Sequence, residues 1–185
     1  MMKDGIRILA VDDSRFARGD STVRIIGVVG RRDLVEGILS FMVKTDGNDA
    51  TAKLIKAAGS SRFFEQIKLI AINGTTVAGM NIIDILKVNR DLGAPVLAIT
   101  RKKPHPSLLC RTIARAKPYG YAGKVKTIKK ISGNAQVFTE GGLYVQAAGI
   151  GKDGAARHVA GCASLLRLAH LIASGVSSGE SRGRI

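Results

Sequence analysis

What most constrains this chain is the order in which its apolar runs change period. Residues 6–11, 23–29 and 35–43 are β-rich runs in succession, the first two joined by a polar loop holding Gly19 and Asp20. The pattern then turns helical. Asp49 is a natural N-cap for "DATAKLIKAAGSS", in which Ala50, Leu54, Ile55 and Ala58 fall at helical intervals before Gly59 ends the run. Residues 67–72 form a short apolar strand, the loop "NGTTVAG" leads to a helix over 81–91 closed by Gly93, and "PVLAIT" reads as a fifth strand buried on both faces. A helix over 106–116 follows.

The order β-β-β-α-β-α-β-α allows few topologies. Three consecutive strands pair as an antiparallel meander, and strands reached through helices add in parallel by right-handed crossovers. This is the element order of the ribonuclease H-like fold, an α/β mixed sheet with flanking helices. A basic segment, a hairpin around "AQVFTEGGLYVQAA" and a helix over 154–175 come after it. The expected organisation is one domain over 1–185, with a core over 1–116, a hairpin-and-helix extension over 117–175 and a polar tail over 176–185. A chain of 185 residues with 45% hydrophobic content suits one well-buried core. No unbroken apolar run approaches the ~20 residues that span a bilayer, and "MMKDGIR" leads straight into a strand, so a soluble cytoplasmic protein without membrane contact is expected. Cys110 and Cys162 lack C-x-x-C spacing and read as buried free thiols.

In this topology strands one, three, four and five run the same way, and their carboxyl ends share one rim. Asp12 and Asp13 lie there after strand one, Asp46 and Asp49 after strand three, Asn73 after strand four, and Arg101 with Lys102 after strand five. Ligands of open α/β sheets favour that crevice, and carboxylates ringed by cations suit metal-assisted phosphodiester chemistry. Each residue also has a local role open to it. Strand alternation sends Asp12 and Asp13 to opposite faces, Asp46 in "TDGN" is a strong turn former, and Asp49 and Asp84 can cap helices. His158 and His170 are about 120° apart around one helix and cannot share an ion, and His105 lies between surface prolines.

Charge points to a polyanionic partner. Twenty-nine Lys and Arg against fourteen acids leave +15, and no acid occurs between Asp91 and Glu140, a stretch that carries Arg101, Lys102, Lys103, Arg111, Arg115, Lys117, Lys124, Lys126, Lys129 and Lys130. Base stacking is not the obvious mode, because there is no Trp and aromatics make up only 4%. The run Gly149, Gly151, Gly154 has G-x-G-x-x-G spacing but lacks the following strand and acid of a dinucleotide site. Gln146 and Asp153 break a Walker pattern, so a tight strand-to-helix turn is the preferred reading.

The blocks "VDDSRF", "TDGNDAT", "INGTTVAGMNIID", "PVLAITRKKP" and "LRLAHLIASGVSSGESRGRI" resemble the archaeal domain-of-unknown-function family ninety-nine, related to endonuclease V in the ribonuclease H-like superfamily. The resemblance implies a divalent-metal nuclease, with Mg²⁺ or Mn²⁺ as cofactor. It points to Asp12 in "AVDD" as the first metal carboxylate and to Arg101 or Lys102 as the basic residue after strand five. Two acids of the endonuclease V pattern are replaced, by Val43 in "LSFMV" and Asn73 in "ING", and the proline-rich wedge gives way to "LVE". Asp13, Asp46 and Asp49 are near enough by topology to rebuild a hard-cation site, with Asn73 contributing an amide oxygen, and Asp12, Asp46 and Asp49 are the expected metal ligands. The expected catalytic set is Asp12, Asn73, Arg101 and Lys102, with RNA or DNA as partner. The tail residues Ser181, Arg182 and Arg184 could close over a phosphate. The expected function is nucleic-acid binding on a scaffold related to endonuclease V, with a divalent-metal nuclease of altered metal site as its enzymatic version; the alternative is a non-catalytic nucleic-acid or phosphate-ligand binding module on the same scaffold.

Overall fold

The computed structural model describes residues 5–31 and 34–181; Arg182 and Arg184 of the tail lie outside them. Its elements are β1 Arg7–Asp13, β2 Thr22–Arg31, β3 Leu34–Lys44, α1 Ala50–Gly59, β4 Ile67–Asn73, β5 Thr76–Val77, β6 Asn81–Ile82, α2 Ile85–Leu92, β7 Val96–Thr100, α3 Pro106–Ala116, α4 Tyr121–Asn134, β8 Gln136–Glu140, β9 Leu143–Ala148 and α5 Lys152–Ser178. Seven strands form one sheet in the order β3-β2-β1-β4-β7-β9-β8, and β5 with β6 makes a small ribbon. The meander β1–β2–β3 is antiparallel, and β4 and β7 add in parallel beside β1. The carboxyl ends of β1, β3, β4 and β7 therefore share one rim.

Period-two alternation divides the core between the two faces of the sheet. Leu9, Val11, Val23, Ile25, Ile70, Ile72, Val96 and Ala98 pack under α1, α2, α3 and α4 through Leu54, Val88, Ile113 and Ile128. Ile8, Ala10, Ile26, Val28, Leu69, Ala71, Leu97 and Ile99 face the other way and are covered by α5 through Val159, Cys162, Leu166, Ala169 and Ala173. Those α5 positions recur every three or four residues, one stripe of a helix.

Four elements depart from the sequence reading. The hairpin β8–β9 is part of the main sheet, because β9 pairs antiparallel with β7 along its whole length. Helix α2 starts at Ile85, not at 81, because Asn81 and Ile82 pair with Thr76 and Val77 and Asp84 accepts the amides of Leu86 and Lys87 as the cap. The segment read only as basic contains α4, whose Gly123, Gly133, four lysines and one threonine obscure a narrow buried stripe of Ile128 and Ile131. Helix α5 runs past the expected 154–175, and among the described residues it alone is long and apolar enough to cross a membrane by length and composition. Here its apolar stripe lies on β1 and β2. Cys110 and Cys162 are free, and burial pushes the Cys162 thiol up to about 12.

Candidate functional site

Alternation decides the roles of the two adjacent aspartates. Asp12 continues the Ile8–Ala10 face towards α5, and Asn73 continues the Leu69–Ala71 face of the neighbouring strand, so the two meet. The Asn73 amide donates to both Asp12 carboxylate oxygens at 3.1 Å, and the Asp13 main-chain N–H donates to Asp12 Oδ1 at 2.9 Å. Asp12 is 1% exposed. Asp13, sent to the opposite face, accepts the Ala78 N–H at 2.7 Å and anchors a residue with φ of +47°.

Asp12 has a third partner that sequence reasoning missed. His170 Nδ1 lies 3.0 Å from Asp12 Oδ2, and the imidazole is 43% exposed. Helix α5 begins at the far rim, and at ~1.5 Å per residue its eighteenth step past Lys152 carries His170 ~27 Å back across the sheet. The signal was present in the spacing, since His170 follows Ala169 in the stripe that packs on the sheet. It could be used only once α5 was known to cover the Asp12 face. Burial pushes the Asp12 carboxyl up to about 6, aided by the Asp13 charge and opposed by Asn73, the Asp13 amide and His170.

Asp46 and Asp49 are not brought into this cluster. Asp46 Oδ1 accepts the Met80 N–H at 2.7 Å, and its φ of +52° makes it the corner of its turn. Asp49 accepts the Lys44 N–H and the Asn81 amide and pairs with Lys53 at 2.8 Å. Burial pushes the Asp49 carboxyl up, but these partners outweigh it and leave it below the usual range. Asp49 also makes no side-chain cap to α1; the fully buried Asn81 accepts the Ala50 N–H instead. Buried Lys124 closes the same region by donating to the carbonyls of Asp46 at 3.0 Å, Met80 at 2.8 Å and Gly47. Among the described residues, no three His, Cys, Asp or Glu side chains gather where they could hold an ion. The structure therefore brings Asp12 together with His170 and with Asn73 as a donor, and leaves Asp46 and Asp49 on local partners.

Arg101 and Lys102 are exposed beyond β7, where Thr100 Oγ1 donates to the Lys102 carbonyl at 2.8 Å. Lys102 borders a cleft of about 150 Å³ on the α3–α4 face of the same rim, with Gly74, Thr76, His105, Gln146 and Ile128 among its walls. Gly74 directly follows Asn73, so cleft and carboxylate cluster are joined through one turn. Val43 is fully buried in the apolar core.

Comparison with known proteins places this architecture. The crystal structure of Ciona intestinalis endonuclease V in complex with a 24mer DNA containing an inosine followed by a ribo-adenosine shares the fold. It has a TM-score of 0.53 at 10% identity, covering 85% of this chain and 77% of that one. An Archaeoglobus fulgidus protein of unknown function aligns much more fully, with a TM-score of 0.83 and 31% identity over 92% of this chain and 98% of that one. The chain is therefore an α/β protein of endonuclease V-like fold. It belongs to the endonuclease dU family, whose profile matches residues 4–177. UPF0215 proteins of Methanothermobacter thermautotrophicus, 34% identical over 98% of this chain and 93% of their own, and Pyrococcus horikoshii, 35% identical over 98% and 97%, are among its relatives.

Proposed function

We propose that the protein is a nucleic-acid endonuclease whose reacting group is the Asp12–His170 pair at the rim. The observation that carries this reading is the 3.0 Å contact of a buried carboxylate with a half-exposed imidazole, both held on rigid elements. With Nδ1 committed to Asp12, Nε2 is the ring nitrogen left for proton transfer. In hydrolysis it takes a proton from water as the water oxygen bonds to phosphorus, and that proton passes to the oxygen leaving as the P–O bond breaks. Asn73 fixes Asp12 as the acceptor and so orients the imidazole. Arg101 and Lys102 supply positive charge for the phosphate. The family description, endonuclease dU, and the DNA-bound fold relative support a nucleic-acid substrate.

The Mg²⁺ or Mn²⁺ implied by the resemblance would find one buried carboxylate, Asp12, since His170 has Nδ1 on Asp12 and Nε2 kept for proton transfer. Water and phosphate oxygens would have to supply the other ligands, with Asp46 and Asp49 left out. Such an ion would neutralise charge at the phosphate. A second reading, a binding module without catalysis, is favoured by Val43, whose burial closes the place of an expected acid with apolar side chains.

The test is cleavage of end-labelled strands containing deoxyuridine or inosine, with Mg²⁺, Mn²⁺ or a chelator, by wild type, Asp12→Asn and His170→Ala. Activity lost in both variants, with binding retained and falling steeply in salt, is the expected result. Binding with no cleavage under any condition would favour the module reading.

A further inference from the structure

We infer that the turn between α3 and α4 is a base-stacking tip that grips an unpaired nucleic-acid strand, with Tyr119 as the stacking ring; this rests on the nucleic-acid reading above. Aromatic residues are scarce, but their placement is uneven. Two of the three tyrosines occupy this turn, where Tyr119 is 85% exposed and Tyr121 41% exposed. A phenol ring this exposed buries little within the chain and contributes little to its stability.

The turn is built to hold that ring in place. Lys117 ends α3 with φ of +45°, the Tyr121 N–H donates to the Pro118 carbonyl at 3.0 Å, and Gly120 takes φ of +68° as the third residue of the turn. A Cβ at Gly120 would sit 1.8 Å from Asn48 Nδ2, so the turn backbone rests directly on the β3–α1 loop. One helical turn later, Lys124 fastens α4 to the carbonyls of Asp46 and Met80 in the loops of the same rim. The ring is therefore displayed on an anchored corner.

The surroundings fit a phosphate backbone. Arg111, Arg115 and Lys117 on the α3 side and Lys126, Lys129 and Lys130 on α4 are all exposed, and the sequence places no acid between 92 and 139. Among the described residues, Lys130 alone of these six has an acidic partner, Asp84 at 2.9 Å. A cationic track beside an exposed ring is the arrangement by which single strands are held without sequence readout: cations follow the phosphates and the ring takes a base face. A closed duplex offers the cations the same phosphates and withholds the base face, so the unpaired strand is the matching partner.

The experiment compares wild type, Tyr119→Phe, Tyr119→Ala and Tyr119→Trp binding a fluorescein-labelled single-stranded oligonucleotide and its blunt duplex, across salt concentrations. Tyr119→Ala should weaken single-strand binding by about 5- to 150-fold, equivalent to 1–3 kcal/mol of stacking, with the salt slope and thermal midpoint unchanged. Tyr119→Phe should stay within about twofold of wild type, because stacking does not need the hydroxyl, and duplex binding should change little in either variant. Because the protein has no Trp, the indole introduced by Tyr119→Trp is a sole reporter, and single strand should quench it. Wild-type affinity in Tyr119→Ala together with an unquenched indole at saturation would overturn the tip while leaving the nucleic-acid reading standing. Failure of the wild type to bind any strand at low ionic strength would overturn both.

Discussion

The rim holds two groups of carboxylates that look alike in sequence and differ in what satisfies them. Asp13, Asp46 and Asp49 accept main-chain N–H groups of Ala78, Met80 and Lys44 and pin turns. Asp12 is more deeply buried, its main partners are the side chains of Asn73 and His170, and burial pushes it towards its neutral form. The first arrangement ties each carboxylate to the backbone of the fold, and its partners hold Asp49 below the usual carboxylate range. The second holds a carboxylate that the fold does not fully stabilise, as expected where a group is kept for chemistry.

The largest effect should come from the structural side of that contrast. Lys124→Met leaves three carbonyls without their common donor and should cost about 3–5 kcal/mol in denaturant unfolding. A loss below ~1 kcal/mol would mean that the Asp46–Gly47–Met80 region holds itself together.

Asn73→Asp attacks the other side. It removes two N–H donors and sets a second carboxylate against Asp12, so the metal-free protein should lose about 2–3 kcal/mol at neutral pH. Mn²⁺ should stabilise this variant more than wild type, because one ligand charge has been added. Equal Mn²⁺ shifts in calorimetric midpoint would argue against a cation at Asp12. Asp13→Ala deletes the anchor of Ala78 and should cost about 2 kcal/mol, with His170 and Asp12 left in contact. If cleavage or nucleic-acid binding fell as far in Asp13→Ala as in Asp12→Asn, the division of roles between the neighbours would be wrong.

The backbone frame was largely legible, because strand order and crossover rules fix which carboxyl ends share a rim. Alternation in "ILAVDD" likewise separated Asp12 from Asp13, whereas Asp84, read inside a helix over 81–91 as a solvated or capping residue, is the cap of a helix that starts at Ile85. The partners were harder to read. Asp46 and Asp49 lie on the predicted rim, but their oxygens are taken by nearby amides, a competition that side-chain geometry decides and residue type does not. Spacing along α5 relates His170 only to His158, whereas its partner lies 158 positions away on another element. Helix α4 hid behind lysines and glycines because its buried stripe is narrow, and with it hid the turn that displays Tyr119.

The central claim, that Asp12 is held at a cost the fold bears for function, is tested most directly by the pH dependence of unfolding free energy in wild type and Asp12→Asn. A carboxyl raised from 3.8 to about 6 binds its proton more tightly in the folded state. Between pH ~4 and ~6 the native state then carries more protons than the unfolded chain, so stability falls as pH rises through that window and levels off above it. The shift sets an upper bound of about 3 kcal/mol, and imperfect bonding of the replacement amide should reduce the gain to about 1 kcal/mol. The account predicts that Asp12→Asn is the more stable protein at pH 7–8 and that its advantage disappears below pH ~4. An Asp12→Asn variant less stable than wild type at neutral pH, with its deficit shrinking on acidification, would show that the ionised carboxylate stabilises the fold and would contradict the claim.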